Sequence, residues 1–345
     1  MSFQVAEVGV QEADVWNDFV LRSAMGTYCH RYEWKAIIES SYGLTVKMLA
    51  AYDSDGWVGI FPVVVMPKLP GLAARAVSVA YCNYGDVVVT PRRGRDAGVA
   101  RQACLQFLAA DGVARVEVRG LGAQVEEAAE VTLMRNLPAS ADELWKQVGD
   151  KVRNQIRKAK KCGLEARWGQ DQIKDLYAVY AANVGRLGTP VHAEAFFAAI
   201  VNELGEDSDV LTVRLSGKVI GAMLLVKHGD IWADPFAASL PEYLHANPNM
   251  FMYWEVLSAA CAQGAKTFDF GRSHLGSGTY RFKRQWGALP HSLLYQTYVN
   301  GLPGEVASTT RLYRGRSGRL ASRLWGWLPF RAQQMVGPWV RRWLA

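Results

Sequence analysis

The stretch "DVLTVRLSGKVIGAMLLVKH", residues 209–228, predicts a β-hairpin, because two apolar runs of strand character flank the turn dipeptide Ser216-Gly217. A second hairpin is predicted at residues 45–66, "TVKMLAAYDSDGWVGIFPVVVM", where two apolar strands flank the turn sequence "DSDG". In both hairpins a glycine stands near the start of the second strand, Gly59 in one and Gly221 in the other. We therefore expect the two hairpins to be equivalent parts of an internal repeat.

The sequence after each hairpin continues the repeat. Each half contains a further strand, a helix that ends in glycine and a short strand; these are "DVVVT", "AGVARQACLQFLAADG" and "ARVEVRG" in the first half, and "DIWADPFAAS", "NMFMYWEVLSAACAQG" and "KTFDFG" in the second. This order predicts an α/β fold in which one unit with a mixed, partly parallel sheet occurs twice. We expect a first domain at 1–138, a second at 139–300 and a tail at 301–345.

Composition narrows the class of protein. Of the 345 residues, 50% are hydrophobic and 21% charged, which is typical of a folded soluble chain. No apolar run approaches the ~20 residues of a membrane-spanning helix, and the N-terminus lacks the pattern of a signal peptide. The five cysteines are scattered without a CxxC pair, which favours a reducing compartment and argues against a zinc site. We therefore expect a cytoplasmic protein without a bound metal.

The positive charge is concentrated at the C-terminus. The net charge is +7, and the sequence from Arg311 onward contains eight arginines and no acidic residue, so residues 1–310 sum to −1. The same segment contains four tryptophans and several leucines, a mixture that suits an anionic membrane surface at the inner face of the plasma membrane. Two alternatives remain open from the sequence, namely nucleic-acid binding and packing against the protein's own domain.

A basic helix is predicted between the two copies, over residues 138–163. Ser140 and Glu143 form a capping-box pattern at its start, and Gly163 follows its last turn. Five apolar residues lie at helical spacing, namely Leu144, Val148, Val152, Ile156 and Ala159. Arg153, Arg157 and Lys161 form a basic stripe on another face, which is either solvated or placed over an anionic substrate such as a phosphate.

Four segments of the second half resemble one family. "NQIRKAKKCGL", "NVGRLGTPV", "PNMFMYWEVL" and "FDFGRS…GSGTYRFKRQWGA" are similar, in this order, to segments of FemAB-like proteins of the exosortase/PEP-CTERM-associated type. In the first half, "RYEWKAIIESSYGLTVKMLAAYDSDGWVGIFPVVV" and "YCNYGD" extend the resemblance to nearly all of residues 5–300. The resemblance implies two tandem GNAT-like acyltransferase domains, in agreement with the repeat.

The resemblance also implies a function. Fem proteins transfer amino acids to peptidoglycan precursors, so we expect an acyl- or aminoacyltransferase that acts on an amine or hydroxyl of a cell-envelope or exopolysaccharide-related precursor at the cytoplasmic membrane face. The co-substrate is acyl-CoA or aminoacyl-tRNA, with no permanently bound cofactor; tRNA is disfavoured because the chain lacks the long helical arm of some tRNA-using relatives. The alternatives are an acyl-CoA-dependent N-acyltransferase that acts on a small molecule or protein, and a non-catalytic membrane-associated assembly factor.

Candidate donor-binding residues follow from the GNAT pattern. The donor pyrophosphate in GNAT units lies at a helix N-terminus, beside the signature [QR]xxGx[GA]. In the first copy "RDAGVA" matches this signature and nominates Arg95 and Gly98. The equivalent stretch of the second copy, "HANPNMF", contains a proline and no glycine.

The catalytic candidates lie in residues 268–288. Asp269 is predicted on a buried strand, where it either pairs with Arg272 or acts as a general base. Arg272 or Lys283 would then stabilise the oxyanion of the acyl-transfer intermediate. A similar Phe-Lys pair in Fem proteins implies that Lys283 contacts the reacting end of the donor.

Further residues are candidates for substrate binding. Gly276 and Gly278 predict a mobile or tightly turned loop, whose aromatic residues Tyr280 and Trp286 either stack on a substrate or pack the loop down. Polar residues at predicted helix and strand ends are candidates as well, although each of them is equally suited to be a cap or a connector. With the two arginines of the basic stripe, the candidates are Arg153, Arg157, Asn183, Arg186, Thr189, Asp234, Ser239, Asn249 and Ser273.

Overall fold

Strands and helices follow one another in this computed structural model in the order that the repeat predicts. It describes residues 3–67, 73–122, 125, 128–307 and 325–344. The chain divides into two units, the first formed by residues 1–123, 293–315 and 339–345 and the second by residues 124–292 and 316–338. The predicted mixed α/β fold is confirmed.

The first unit is built on a mixed sheet with the strand order β1-β2-β3-β4-β6, in which β5 pairs with β3. Only the β4–β6 pair is parallel among these strands. The elements in chain order are β1 (Gln4–Glu7), α1 (Ala13–Arg22), α2 (Glu33–Tyr42), β2 (Thr45–Asp53), β3 (Gly56–Val65), β4 (Ala74–Ser78), β5 (Val88–Val89), α3 (Ala97–Ala110) and β6 (Val113–Gly122).

The second unit is built on a sheet with the order β8-β9-β10-β11-β12-β7, followed by the first residues of β13. Among the described strands of this sheet, only β11 and β12 pair in parallel. The elements are β7 (Glu130–Asn136), α4 (Ala141–Gln147), α5 (Asp150–Lys161), β8 (Leu164–Trp168), α6 (Ile173–Arg186), α7 (Glu194–Leu204), β9 (Ser208–Leu215), β10 (Lys218–His228), β11 (Ile231–Ser239), α8 (Pro248–Ala262), β12 (Thr267–His274), α9 (Gly278–Arg284), the start of β13 (Leu289–Val299) and most of α10 (Phe330–Arg341). The rest of β13 and all of β14 (Leu302–Ala307) belong to the first unit.

The two units share one topology and one irregularity. In both, a hairpin is followed by a third strand, a helix and a parallel strand, so β2-β3-β4-α3-β6 corresponds to β9-β10-β11-α8-β12. The third strand of the first copy is therefore β4 and not the predicted "DVVVT", of which only Val88 and Val89 form a strand, β5, on β3. The register of each hairpin shifts by one residue directly before the matched glycines, which makes Val58 and Ile220 the bulged residues. A bulge at the same place in both copies supports their equivalence.

The region between the copies differs from its prediction in one way. The predicted basic helix is two helices, α4 and α5, which are separated at Val148 and Gly149. The apolar stripe of the helix continues through this break and is fully buried, which is why periodicity did not reveal it. The start at Ser140 is confirmed, since its hydroxyl accepts the Glu143 N–H at 3.2 Å. Residues 164–168, directly after the second of these helices, form the edge strand β8.

The expected domain boundaries can be placed on this fold. Residue 138 falls within the second unit, between β7 and α4, because β7 pairs with β12. The tail is described only from residue 325 to residue 344. Five of its arginines, at positions 311, 314, 316, 319 and 323, therefore lie outside the described residues.

The cysteines require a correction. Cys29 and Cys82, which we predicted to be unpaired, form a disulfide bond across 53 residues of sequence. The fold brings their Cα atoms to 6.5 Å, a separation that a disulfide can span and that no spacing motif indicated. The argument for a reducing compartment from unpaired cysteines therefore does not hold. Within the described ranges, no helix is long and apolar enough to cross a membrane.

Candidate active site

Strands β11 and β12 of the second unit separate from each other where the candidate residues lie. Their parallel register covers three residue pairs and ends at Ala233 and Asp269. Beyond this point β11 bulges against β10 between Ala233 and Phe236, and β12 bulges against β7 between Asp269 and Arg272. Two neighbouring parallel strands that bulge at one level create a local opening in the sheet.

The bulge of β12 is held by Asp269. Gly271 adopts φ +70°, a left-handed conformation that favours glycine. The Oδ1 atom of Asp269 accepts the Gly271 N–H at 2.8 Å and the Thr132 hydroxyl at 2.7 Å. The Asp269 side chain thus connects β12 to β7, and its Oδ1 atom is already engaged in fixing the strand.

Lys283 reaches the same bulge from helix α9. This helix begins after Ser277, whose hydroxyl accepts the Tyr280 N–H at 3.1 Å. Gly276 lies in a tight turn with φ +73°, as predicted, whereas Gly278 is already the first residue of a capped helix. The Nζ atom of Lys283 donates to the carbonyl oxygen of Gly271 at 3.0 Å and to that of Arg272 at 2.9 Å. The bulge therefore turns two backbone carbonyls toward one buried ammonium group.

Burial lowers the pKa of Lys283, and the nearby charge of Arg272 lowers it further. The carboxylates of Asp234 and Asp269 oppose this shift, which places both of them within electrostatic reach of Lys283. Arg272 itself is half-exposed and forms a 3.5 Å salt bridge with Glu130. The cluster thus brings together all three predicted catalytic residues.

Asp234 is the most perturbed carboxyl of the cluster. Burial raises its pKa to about 7, against the opposing charge of Lys283 and a hydrogen bond from the Tyr253 hydroxyl. Tyr253 donates to the Oδ2 atom of Asp234, whereas Oδ1 has no hydrogen-bond partner among the described residues. The pKa of Tyr253 is raised by burial and by Asp234, so this tyrosine remains a donor at neutral pH. Asp234 is therefore poised to exchange a proton near neutral pH.

Access to these groups is limited in the described conformation. The exposed fractions of Asp234, Asp269 and Lys283 are 6%, 5% and 9%. Trp286, a predicted stacking residue, is fully buried against Phe282 and Tyr253 and packs the core. Tyr280 is half-buried against the same core.

Two further polar candidates lie on the bulging strands. Ser273 follows the bulge of β12, and its buried hydroxyl has no hydrogen-bond partner within the described chain. The Ser239 hydroxyl, at the end of β11, donates to the Asn249 side chain at 2.6 Å in the first turn of α8. This contact fastens the strand to the helix.

Both arginines of the basic stripe on α5 are engaged within their own helix pair. Arg153 donates to the carbonyl oxygens of Trp145 and Val148 and forms a salt bridge with Asp150, so it caps the end of α4. The guanidinium of Arg157 lies 5.3 Å from the centre of the Trp145 ring. These contacts favour the structural interpretation of both arginines.

The remaining candidates lie at helix ends. Arg186 donates to the Asn183 side chain at 3.4 Å, and the Thr189 N–H donates to the Val184 carbonyl, which together close the end of α6. Arg95 and Gly98 belong to the first unit, where both are exposed at the start of α3 as the strand-to-helix pattern predicted.

Sequence reasoning missed three residues of the described site, Tyr253, Thr132 and Glu130, of which Tyr253 contacts the most perturbed carboxyl. The partner of Tyr253, Asp234, was expected only to bind substrate. The available signal was a hydroxyl-bearing aromatic residue within the otherwise apolar start of α8, "NMFMYW". The spacing of residues in the sequence did not indicate the contact between Tyr253 and Asp234, because these two residues are 19 positions apart and lie on different elements.

Comparisons with known proteins agree with this architecture. Residues 146–284 match the family model of the acetyltransferase (GNAT) domain, a segment that runs from the end of α4 to the end of α9 and includes Lys283. The sequence has no significant match among the curated proteins searched.

Solved structures show the same fold over most of the chain. FemX has a TM-score of 0.67 at 14% identity, over 90% of this chain and 99% of that one. A tandem GNAT protein from the clavulanic acid biosynthesis pathway has a TM-score of 0.53 at 10% identity, over 88% and 99%. The C-terminal domain of a putative lysylphosphatidylglycerol synthetase from Agrobacterium fabrum has 0.52 at 12%, over 83% and 91%. The chain therefore has the fold of tandem GNAT proteins, and its second unit carries the segment that matches the GNAT acetyltransferase model.

Proposed function

We propose that the protein is an acyltransferase whose reaction takes place in the second unit, where β11 and β12 part. The observation that carries this proposal is the burial of an ammonium, Lys283, at that parting, where it donates to two backbone carbonyls and lies within electrostatic reach of the buried carboxyl of Asp234. Both residues lie inside the segment that matches the GNAT acetyltransferase model. Acyl transfer requires a proton acceptor and a positive group at the developing oxyanion, and these two side chains supply both.

In the proposed reaction, Asp234 and Lys283 have separate roles. An acceptor amine attacks the carbonyl carbon of a thioester donor, and the Oδ1 atom of Asp234 takes the proton that the nitrogen loses. The Lys283 ammonium stabilises the negative charge on the carbonyl oxygen of the tetrahedral intermediate. When the carbon–sulfur bond breaks, the thiolate receives the proton from Asp234, so the products are an amide and a free thiol. With a hydroxyl acceptor the product is an ester.

Asp269 and Arg272 take different roles in this proposal. Because the Oδ1 atom of Asp269 holds the bulge, Asp269 is a positioning residue that keeps the Gly271 carbonyl under Lys283. Arg272 is half-exposed, and its guanidinium is available to an anionic part of a substrate as well as to Glu130. Ser273, with its hydroxyl unpartnered in the described chain, is a candidate for contact with the donor.

Acyl-CoA is the donor that we propose. An extended donor arm fits between two strands that part, because their facing backbone groups can bind it as a further strand would. Tandem GNAT proteins and FemX share the fold, and this likeness supports acyl transfer without naming a donor. Aminoacyl-tRNA is the second donor to be tested.

The acceptor that we propose is an amine or hydroxyl of a cell-envelope or exopolysaccharide-related precursor, at the inner face of the membrane. The fold likeness to FemX and to the putative lysylphosphatidylglycerol synthetase domain motivates this choice. A soluble small molecule or a protein amine is the competing class of acceptor.

The proposal is tested by screening CoA thioesters and aminoacyl-tRNA for a shift in the thermal unfolding midpoint of the purified protein. A ligand that binds only the folded state raises stability, by about 2.7 kcal/mol at a hundredfold excess over its dissociation constant. The donors that bind are then incubated with lipid-linked precursors, small amines and peptides, and release of free thiol or tRNA is measured. Failure of every donor to bind and to turn over would contradict the proposal.

A non-catalytic assembly factor is the second candidate, favoured by the small exposed fractions of Asp234, Asp269 and Lys283. In that case the cluster only stabilises the parted strands. Lys283→Met would then alter the stability of the protein without any donor-dependent change, and no CoA thioester would protect the cluster from hydrogen exchange. Donor-dependent protection of β11 and β12 would exclude this candidate.

A further inference from the structure

Helix α10 and the turn before it expose several large apolar side chains, whereas the helix buries a glutamine. Trp327, in the turn before the helix, is 82% exposed, Met335 is 80% exposed and Trp339 is 64% exposed. On the other side, Gln333 is 5% exposed and Gly337 is buried. A surface helix of a soluble domain normally has the opposite arrangement.

The contacts on the buried side fix this orientation. The Gln333 side-chain amide donates to the carbonyl oxygens of Leu328 at 2.9 Å and Trp325 at 3.2 Å, and Gln333 also lies against Gly185. Gly337 packs so closely that a Cβ atom there would lie 2.7 Å from the Cγ2 atom of Val191. Because the buried contacts of the helix are made by a glutamine and a glycine, rotating the helix to bury the exposed tryptophans would break these contacts.

The exposed residues include a set that we call the Trp–Arg–Met stripe. It consists of Trp327, in the turn before the helix, and of Arg331, Met335 and Trp339, which are four residues apart on α10 and therefore lie on one face of it. All four side chains belong to exposed residues. Leu328, Phe330 and Val336 add exposed apolar surface on its flanks.

We propose that the Trp–Arg–Met stripe docks on the surface of an anionic lipid bilayer. Tryptophan favours the depth of the lipid headgroups, and methionine and phenylalanine insert into the acyl boundary below them. Arg331 reaches back to the lipid phosphates on its apolar stem. The sequence from residue 306 onward contains eight arginines and no acidic residue, a charge complementary to anionic lipid.

The arrangement favours lipid over two other partners. A protein partner, including a second copy of the chain, would bury Arg331 in the middle of the contact and would have to supply a carboxylate for it. RNA would use the arginines but has no use for exposed methionine, valine and leucine beside them. A bilayer surface accommodates both the apolar residues and the arginine at their own depths.

The docking proposal names the surface by which the protein would bind at the membrane location proposed above. It rests on that proposed location and not on any catalytic residue. Binding to vesicles is measured without an acyl donor or acceptor. If the protein turns over a donor but does not bind vesicles, only the docking proposal is contradicted. If it binds vesicles but turns over no donor, only the transferase proposal is contradicted.

Flotation of the full-length protein with vesicles tests the proposal. We expect binding to phosphatidylcholine vesicles that contain phosphatidylglycerol, and much weaker binding to phosphatidylcholine alone or when salt rises from about 0.1 M to about 1 M. The variant Trp327→Ser/Met335→Ser/Trp339→Ser should lower the partition onto anionic vesicles at least about tenfold. The control Val10→Ser/Leu21→Ser changes residues that are 69% and 59% exposed elsewhere on the chain and should bind as the wild type does.

Three further measurements decide the outcome. The thermal unfolding midpoint of the triple variant should match the wild type, because the altered side chains are exposed. The single variant Arg331→Gln, which keeps every apolar contact, should still bind but with a weaker dependence on anionic lipid. Wild-type binding by the triple variant would overturn the proposal, as would stripe-dependent self-association or RNA binding in the absence of vesicle binding.

Discussion

The Nζ atom of Lys283 donates to the carbonyl oxygen of Gly271 at 3.0 Å, and this contact joins helix α9 to the bulge of β12. The carbonyl can face Lys283 because Gly271 adopts φ +70° and because Asp269 holds the Gly271 N–H from the other side. A local backbone irregularity thus places a buried ammonium beside two buried carboxyls. The proposed chemistry depends on this placement.

Lys283→Met should abolish acyl transfer while the fold persists. Methionine keeps most of the length of the lysine but leaves the carbonyl oxygens of Gly271 and Arg272 without this donor, so the free energy of unfolding should fall by about 1–3 kcal/mol. Loss of the oxyanion-stabilising charge should lower kcat at least about a hundredfold. Steady-state kinetics and urea unfolding measure the two effects separately.

Arg281→Met is the matched control for this variant, because Arg281 lies on the same helix but is exposed. We expect it to retain kcat within about twofold. Equal losses in both variants would indicate that the effect arises from helix α9 as a whole and would remove Lys283 from the mechanism.

Asp269→Asn should retain most of the activity, and Asp269→Ala should not. An asparagine carbonyl oxygen can still accept from the Gly271 N–H and the Thr132 hydroxyl, whereas alanine leaves both donors unpaired in the interior. We expect Asp269→Ala to lose about 1–3 kcal/mol of stability together with its activity. If Asp269 were instead the general base, kinetics would find Asp269→Asn as inactive as Asp269→Ala with its stability intact.

Asp234→Asn should remove the pH dependence of the reaction near neutrality. Since burial raises the pKa of Asp234 to about 7, kcat/KM of the wild type should rise with pH through this value as the carboxylate forms. Asn cannot accept the proton, so the rate should fall about 10²–10⁴-fold and lose this inflection. An inflection that persists in the variant would assign it to another group.

The same residue makes stability depend on pH in a defined direction. The folded-state pKa of about 7 exceeds the unfolded value of about 3.9, so the folded protein binds the proton more tightly. The stabilising contribution is complete below about pH 4 and is lost as pH rises to about 7. Asp234→Asn should therefore remove this loss of unfolding free energy, which amounts to about 4 kcal/mol across the window in the wild type.

The fold could be predicted from the sequence because its signals are local. The alternation in residues 45–66 and 209–228 gave both hairpins, and the Ser140 cap gave the start of α4. The break at Gly149 was missed because the apolar stripe of the helices runs through it without a change of period.

The site could be predicted only in part, because its contacts are long-range. Lys283 and Asp269 stood out as charged residues within an apolar segment, but the partner of Asp269, Thr132, lies 137 residues away. The Asp234–Tyr253 pair depends on how α8 packs on β11, and the orientation of α10 depends on the fit of Gly337 to Val191. Sequence periodicity contains no information about such fits.

The disulfide gives a prediction that is independent of catalysis. Closing a loop of 53 residues restricts the unfolded chain, so Cys29→Ala/Cys82→Ala should lower the free energy of unfolding by about 2–4 kcal/mol. Reductant should destabilise the wild type by a similar amount and leave the double variant unchanged, whereas Cys162→Ala, at an exposed free cysteine, should behave as the wild type does. Thiol titration of the denatured, unreduced protein should find the three free cysteines Cys104, Cys162 and Cys261. Five titrating thiols would mean that the bond does not form, and the cysteines would again be compatible with a reducing compartment.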